Sequence, residues 1–422
     1  MKQIFNELKQ QPLISTITVV GTALAIFLIM VVVMIQQVKI ADFAPESNRS
    51  RMLHWKYGSI THESWADDDS ANGAMSYKTI RELFGDLETV ETVTAYQVFS
   101  ETQSAAAKGE MSVSIKTRPT DANFFKVFDY TFIEGAPFTE ADFRSALPKA
   151  VINESTARKV FKSTDVVGRE ILLNMTPFQV VGVVKDVSKL ASIAYADVWI
   201  PFTTVGVDTQ EWTNGHMGML SVTLLAPSRS DFPKVRDELA RRLAALNTTM
   251  KETDGYRFIS RNRPYDQEKQ ATGTVWANVE PDLQKARREK WIVYLILIIV
   301  PAINLSSMTR SRLRKRTAEI GVRRAFGASS AQITAALVLE NLVVTLIAGA
   351  VGLLLCLLFA WLCAPYLWST SGLKVNFSMI VRWSTFGWAL LFCFVLNLLC
   401  SLLPAWRSSR ESIVSSLSGV NR

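Results

Sequence analysis

Four stretches of the chain stay apolar for longer than ordinary core elements do. Leu13 to Ile35 (LISTITVVGTALAIFLIMVVVMI) is 23 residues without a charge. A helix rising 1.5 Å per residue over that length crosses a hydrocarbon core of about 30 Å. Trp291 to Ser307 is a shorter uncharged run, Ile333 to Trp361 is longer with Glu340 as its single charge, and Thr385 to Leu403 closes the set. The pattern predicts a membrane protein with four transmembrane α-helices, one N-terminal and three C-terminal. The first run exceeds a signal-peptide core of about 7–15 residues, and no small-residue cleavage site follows before Gln36, so it reads as an uncleaved anchor.

Between the first two spans the periodicity changes. Val90–Phe99, Met111–Thr117, Ile171–Asn174 with Phe178–Val184, Val198–Phe202 and Leu220–Leu225 are rich in Val, Ile, Thr and aromatics, which predicts strands. Ser76–Phe84 and Asp231–Leu246 have helical spacing; in the second, Phe232, Val235, Leu239 and Leu243 share a face, and Ser230 or Asp231 is placed to cap it. Strands and helices without strict alternation predict a large α+β domain, and a break near Thr120 suggests two subdomains. Asp254–Gly273 reads as a polar loop, and the charged run Glu280–Lys290 as helix continuing into the second span. At the N-terminus Ile4, Phe5 and Leu8 suit a short amphipathic helix on the membrane surface, with a disordered start as the alternative. Pro301 frees a carbonyl inside the second span and is a candidate hinge. Asn304 and Asn397 can hydrogen-bond between spans, and Gly349, Ala350 and Gly352 allow close helix approach.

Charge then supplies orientation. Outside residues 39–290 stand 14 basic and 4 acidic residues; the 39–290 segment itself holds 32 and 34, so its net charge is −2 within a chain total of +8. Seven of those 14 basic residues fall between Arg310 and Arg324. The positive-inside rule puts that segment and both termini in the cytoplasm and the large domain outside. The basic balance thus reports orientation and gives no reason to expect nucleic acid. Cys356, Cys363, Cys393 and Cys400 all lie in or beside the last two spans, so the outer domain has no disulfide framework or cysteine metal site. The chain has no Gly-x4-Gly-Lys-Ser/Thr loop and no Gly-x-Ser-x-Gly elbow. His54, His62 and His216 and the run Asp67-Asp68-Asp69 lack metal-ligand spacing and read as packed or solvated residues. No catalytic residue, resident metal or cofactor is expected.

The segment from Arg310 to Glu340 reads RSRLRKRTAEIGVRRAFGASSAQITAALVLE. Physically it is a basic inner helix, a break at Gly327 where a left-handed residue can end a helix, and a Ser329/Gln332 capping box opening the third span. Such a helix suits a soluble partner or serves only as a topology signal; the residues leave both open. Glu340, on a span longer than the core requires, is expected at the inner headgroup level.

These residues carry a specific resemblance. Glu319-Ile320-Gly321-Val322-Arg323-Arg324-Ala325-Phe326-Gly327-Ala328 is similar to the "REIGIRRALGA" signature of MacB/FtsX-type ABC transporter permeases, and Pro404-Ala405-Trp406-Arg407-Ser408-Ser409-Arg410 resembles the same family's tail. Asn123–Phe128, Glu134-Gly135, Ala150–Ala157 and Val181–Asp186 resemble its extracytoplasmic domain, and Glu340-Asn341-Leu342 its early acid in the third span. In the tail Ile413 and Ser415 stand where the family usually has Pro and an acid.

The resemblance implies a permease subunit without an enzyme of its own. It couples ATP hydrolysis by a separate cytoplasmic ATPase, which binds the ATP and Mg, to conformational work outside the membrane. The family exports or extracts envelope substrates such as antibiotics, peptides or lipoproteins; a membrane sensor, or a regulator of cell-wall hydrolases, is the alternative reading. The implied ATPase-coupling residues are Glu319, Ile320, Gly321, Arg323, Arg324, Phe326 and Gly327, with Pro404, Arg407 and Arg410 as a tail contact. Implied partners are the ATPase, a second permease copy or paralogue, membrane lipid, and a periplasmic adaptor with an outer-membrane channel. The expected organisation, in a bacterial inner membrane, is a cytoplasmic segment 1–12, spans 13–36, 291–309, 331–362 and 385–404, an outer core domain 37–290, a coupling segment 310–330, a short outer loop 363–384 and a cytoplasmic tail 405–422.

Orientation is directly testable. With the four native cysteines replaced, a cysteine at Ser311 should resist an impermeant thiol reagent in intact cells and one at Ser155 should react. Labelling at Ser311 from outside would reverse the topology.

Overall fold

The computed structural model describes residues 12–66, 69–272, 279–315, 322, 325–368 and positions 387, 388, 391, 394 and 395. Expectations for residues 1–11, for Asp67, Asp68 and Asn397, for Glu319, Ile320, Gly321, Arg323 and Arg324, and for Pro404, Arg407 and Arg410 lie outside the described residues. The chain divides into two compact units, one containing the long apolar helices and the other 39–283.

The helical unit contains Pro12–Ile40, Leu283–Lys315 and Ser330–Trp368. Among the described residues two windows are long and apolar enough to cross a membrane, Val19–Gln36 and Leu342–Leu362. The predicted second span lies within Leu283–Lys315, and of the predicted charged helix Glu280–Lys290 the part from Leu283 onward opens that helix. The fourth predicted span lies almost wholly outside the described residues.

The other unit is α+β. Six of its strands form a closed path. Val198–Pro201 runs antiparallel to Lys149–Asn153, which runs parallel to Thr176–Val184. Glu170–Leu173, Glu101–Ala106 and Val113–Thr120 follow antiparallel, and the last pairs in parallel with Val198–Pro201. Closure leaves no free strand edge along that path. Ile115, Ile152, Ile171, Leu173, Val180, Val198 and Ile200 are buried in its core, where helix Glu154–Phe161 adds Ala157, Val160 and Phe161.

A second group of strands is antiparallel throughout. Leu220–Leu225 lies between Met52–Trp55 and Thr92–Gln97 and also meets Ala71–Met75, while Gly58–His62 joins that strand to Tyr256–Ile259. Helices Tyr77–Phe84 and Phe232–Asp254 pack with this group. Trp55, 1% exposed, meets Phe84 edge-on at 5.3 Å. Burying two rings of that size is worth several kcal/mol by area alone. The groups meet where Tyr96 pairs with Thr120.

Several expectations need correction. Helix Phe232–Asp254 runs eight residues past the predicted Leu246, because Leu246 and Met250 continue its buried face. Asp231 occupies the cap position in helical conformation without a side-chain cap; its carboxylate accepts from Ser228 and Lys234 instead, and Ser230 shares a hydroxyl contact with Ser228. The predicted loop 254–273 contains strand Tyr256–Ile259 and helix Gln267–Thr272. Tyr256 and Phe258 alternate with Arg257 over only four residues, too short a pattern to register above polar flanks.

Burial of single ionisable groups sets a pH dependence. His54 is 1% exposed, and desolvation lowers its pKa from 6.5 to about 4. As pH falls from 6.5 to 4 the unfolded chain binds this proton first, so His54 subtracts stability, at most about 3 kcal/mol once pH is below 4. Asp121, raised from 3.8 to about 7 by desolvation, has the opposite slope: it favours the fold at low pH and weakens it as pH rises through that interval. His54→Gln removes one slope and keeps the other. The variant should therefore lose less thermal stability than wild type between pH 6.5 and 4; parallel melting profiles would show that His54 is not held neutral.

Candidate functional site

The turn at Phe326-Gly327 is the first candidate. The amide of Phe326 donates to Val322 O at 3.1 Å, and Gly327 follows at φ +93° with open space where a Cβ would stand. That φ suits glycine and strains any β-branched residue. Ser329 and Gln332 then exchange bonds, Gln332 N–H to Ser329 Oγ at 3.3 Å and Ser329 N–H to Gln332 Oε1 at 3.0 Å, forming the predicted capping box of helix Ser330–Trp368. Phe326 is 88% exposed on a turn capped on its C-terminal side. Glu340 lies on helix Ser330–Trp368 and Pro301 on helix Leu283–Lys315, which continues through the proline.

Within the helical unit, Val344, Ala348, Gly352, Cys356 and Ala360 are buried at four-residue spacing, the spacing of an i±4 ridge. Ala23, Ile26, Met30 and Met34 are buried on helix Pro12–Ile40, and Ile26 and Met30 cluster with Cys356. A Cβ on Gly352 would stand 2.9 Å from Ala23 O and 3.1 Å from Ile26 Cβ. Phe27 and Phe359 meet edge-on at 5.6 Å beside it. Of the three small residues singled out in sequence, Gly352 makes this contact, whereas Ala350 is exposed.

In the outer unit the polar residues that matter were not apparent in the sequence. Glu46 and Arg49 are each 2% exposed, and Arg49 Nε donates to Glu46 Oε2 at 2.5 Å. The other carboxylate oxygen accepts Ile193 N–H at 3.1 Å and Ala194 N–H at 3.0 Å; Arg49 also donates to Ala41 O and Leu190 O. The segment after the first helix is thereby fastened to the loop before Val198–Pro201. A second chain of bonds runs alongside. Tyr96 Oη contacts Thr223 Oγ1 at 3.1 Å, which meets His54 Nδ1 at 3.1 Å; His54 Nε2 lies 3.0 Å from Gln267 Oε1, and Gln267 Nε2 donates to Lys39 O. A neutral imidazole with its proton on Nε2 satisfies every member, the tautomer being inferred from the partners. Their signal in sequence was slight: an i,i+3 Glu/Arg pair reads as surface until its burial is known.

The α+β domain and the two candidate spans fit a membrane permease. A family model of the MacB-like periplasmic core domain matches residues 15–242, and one of the FtsX-like permease C-terminal region matches 291–413. The chain belongs to the MacB/FtsX-like family of ABC transporter permeases, whose members are inner-membrane proteins. It is similar to the macrolide export ATP-binding/permease protein MacB of Escherichia coli K12, 26% identical over 306 residues that cover 72% of this chain and 42% of the relative. The Shigella flexneri protein of the same name shows the same identity and coverage. The chain thus spans less than half the length of these curated relatives. Among solved structures it is similar to the extracellular domain of the ABC-type transporter YknZ from Gram-positive bacteria (19% identity, TM-score 0.34, 48% of this chain and 99% of that one). The periplasmic region of MacB from Actinobacillus actinomycetemcomitans gives 17% identity and a TM-score of 0.33, over 49% and 88%.

The helix contact at Gly352 yields a prediction. Gly352→Leu, which overfills it, should cost about 1–3 kcal/mol and lower the thermal midpoint of the full chain in detergent. Ala350→Leu, on an exposed position, should leave the midpoint near wild type. Equal effects would place the tight contact elsewhere.

Proposed function

We propose that the chain is a four-span permease subunit of an ABC transporter that carries nucleotide-driven movement from a cytoplasmic ATPase to its outer domain. The observation that best supports this reading is the Phe326-Gly327 turn: an exposed aromatic on an ordered bend, within the segment that resembles the family's coupling signature. Phe326 is the anchor that enters a cleft of the ATPase, Arg323 and Arg324 meet acids at its rim, and Gly327 sets the angle to the third span. Glu319, Ile320 and Gly321 complete the helix, while Glu340 steadies its base at the headgroup level. The tail residues Pro404, Arg407 and Arg410 add a second contact.

In this reading the termini are cytoplasmic and 37–290 lies outside. Two copies, or this chain with a paralogue, form the working dimer. The closed strand path and the second strand group act as two lobes, and the Glu46–Arg49 pair fastens the segment after the first helix to the 190–194 loop of the closed lobe. The permease moves an envelope substrate outward, macrolides being the substrate class in the name of the Escherichia coli relative, with a periplasmic adaptor and outer-membrane channel completing the route.

Phe326→Ala combined with Arg323→Glu should preserve insertion and outer-domain folding while weakening ATPase recruitment by about 2–4 kcal/mol. Gly327→Val should recruit the ATPase but uncouple hydrolysis from outer-domain motion. Pull-down and ATP hydrolysis in reconstituted membranes measure both; unchanged recruitment and activity in the two variants would reduce the helix to a topology signal.

A further inference from the structure

The outer unit contains a cavity of about 380 Å³ whose charge is unbalanced. Lys39, Arg49, Lys56 and Arg118 line it against a single carboxylate, Glu46. That carboxylate is already committed, with Arg49 on one oxygen and two backbone N–H groups on the other. Arg118 is 5% exposed, and its guanidinium donates only to carbonyls: Nη1 to Gln97 O at 3.2 Å, Nη2 to Ser192 O at 3.3 Å, and Nε to Tyr195 O at a long 3.5 Å. Lys56, half-buried, has its ammonium 5.0 Å from the Tyr57 ring. Among the described residues no carboxylate lies within salt-bridge distance of either cation.

A cation held out of water beside another cation costs free energy unless an anion joins it. Burial lowers the pKa of both groups, and for Lys56 the charge of Arg118 adds to the effect. Two ammonium groups, each with three N–H donors, and the outer N–H of Arg118 Nη1 remain, more donors than the roughly four acceptor sites of a carboxylate. A doubly charged group with three terminal oxygens accepts more of these donors than a carboxylate does and offsets two of the three surplus positive charges.

We propose that this cavity binds a terminal phosphate group, carried by inorganic phosphate, by a soluble phosphate monoester, or by a lipid headgroup that ends in a phosphate monoester. Glu46 stays with Arg49; Lys39, Lys56 and Arg118 hold the phosphate oxygens, and the wall beside Val98 and Leu190 accommodates the substituent. The site is separate from the turn at Phe326-Gly327 and does not depend on the coupling role proposed above.

The test uses the full chain in phospholipid-free detergent. Binding of inorganic phosphate is measured by equilibrium dialysis, and phospholipid surviving delipidation by native mass spectrometry. Lys39→Gln with Lys56→Gln leaves the carbonyl bonds of Arg118 intact, so the fold is expected to persist, as an unchanged melt would verify. Expected is saturable phosphate binding, or retention of one phospholipid per chain, weakened by about tenfold or more in the double variant. Phosphate binding without retained lipid assigns a soluble source; lysine-dependent retention without phosphate binding assigns a headgroup. Wild type that holds neither probe, or a folded double variant that holds them as well as wild type, overturns the proposal.

Discussion

The carboxylate of Glu46, removed from water, is the constraint around which the outer unit is assembled. Such a group must be matched in charge and its lone pairs filled, or the fold carries a penalty of several kcal/mol. Arg49 supplies the charge from one turn away, and Ile193 and Ala194 supply two backbone donors from about 150 residues further along the chain. The match requires the segment after the first helix and the 190–194 loop to be in register together. Ala194 O then accepts from Tyr130 Oη at 2.5 Å and Trp199 Nε1 at 3.2 Å, extending the same order into the aromatic core.

That dependence clarifies what the family-like segments contribute. Asn123–Phe128 resembles the family's outer domain, and here Phe124, Val127 and Phe128 are fully buried, with Phe124 and Phe128 rings 4.6 Å apart. Ala150–Ala157 and Val181–Asp186 meet in parallel strands. Asn153 caps helix Glu154–Phe161 by accepting Thr156 N–H, and Asp186 accepts both Ser155 N–H and its hydroxyl. Gly182 lies where a Cβ would approach Ala136 O to 2.7 Å. These are packing and capping requirements, separate from any contact with a transported substrate.

Legibility followed the range of the interactions. Leu13–Ile35 and Ile333–Trp361 were readable because an unbroken apolar run needs no tertiary context. The helix Tyr77–Phe84 was readable from its helical spacing; Ser76 caps it locally, accepting Thr79 N–H at 3.0 Å. Strands Met52–Trp55 and Glu101–Ala106 were not: His54 interrupts one pattern and Glu101, Thr102 and Gln103 mask the other, and both are recruited by partners distant in sequence. Closure of the six-strand path was equally hidden, since it rests on pairing Val113–Thr120 with Val198–Pro201. The exposed turn at Phe326 was legible through its residue types and spacing.

Net charge was the least informative quantity. The 39–290 segment is close to neutral overall at −2, yet its cavity brings four cations against one carboxylate that is already paired. Electrostatic free energy depends on which charges share a poorly solvated space, and sequence totals average over that. Surface acids elsewhere restore the sum while water screens them from the cavity. A domain can thus be neutral in solution and strongly cationic around one cavity, and a diffusing anion would respond to that cavity once it reached the opening.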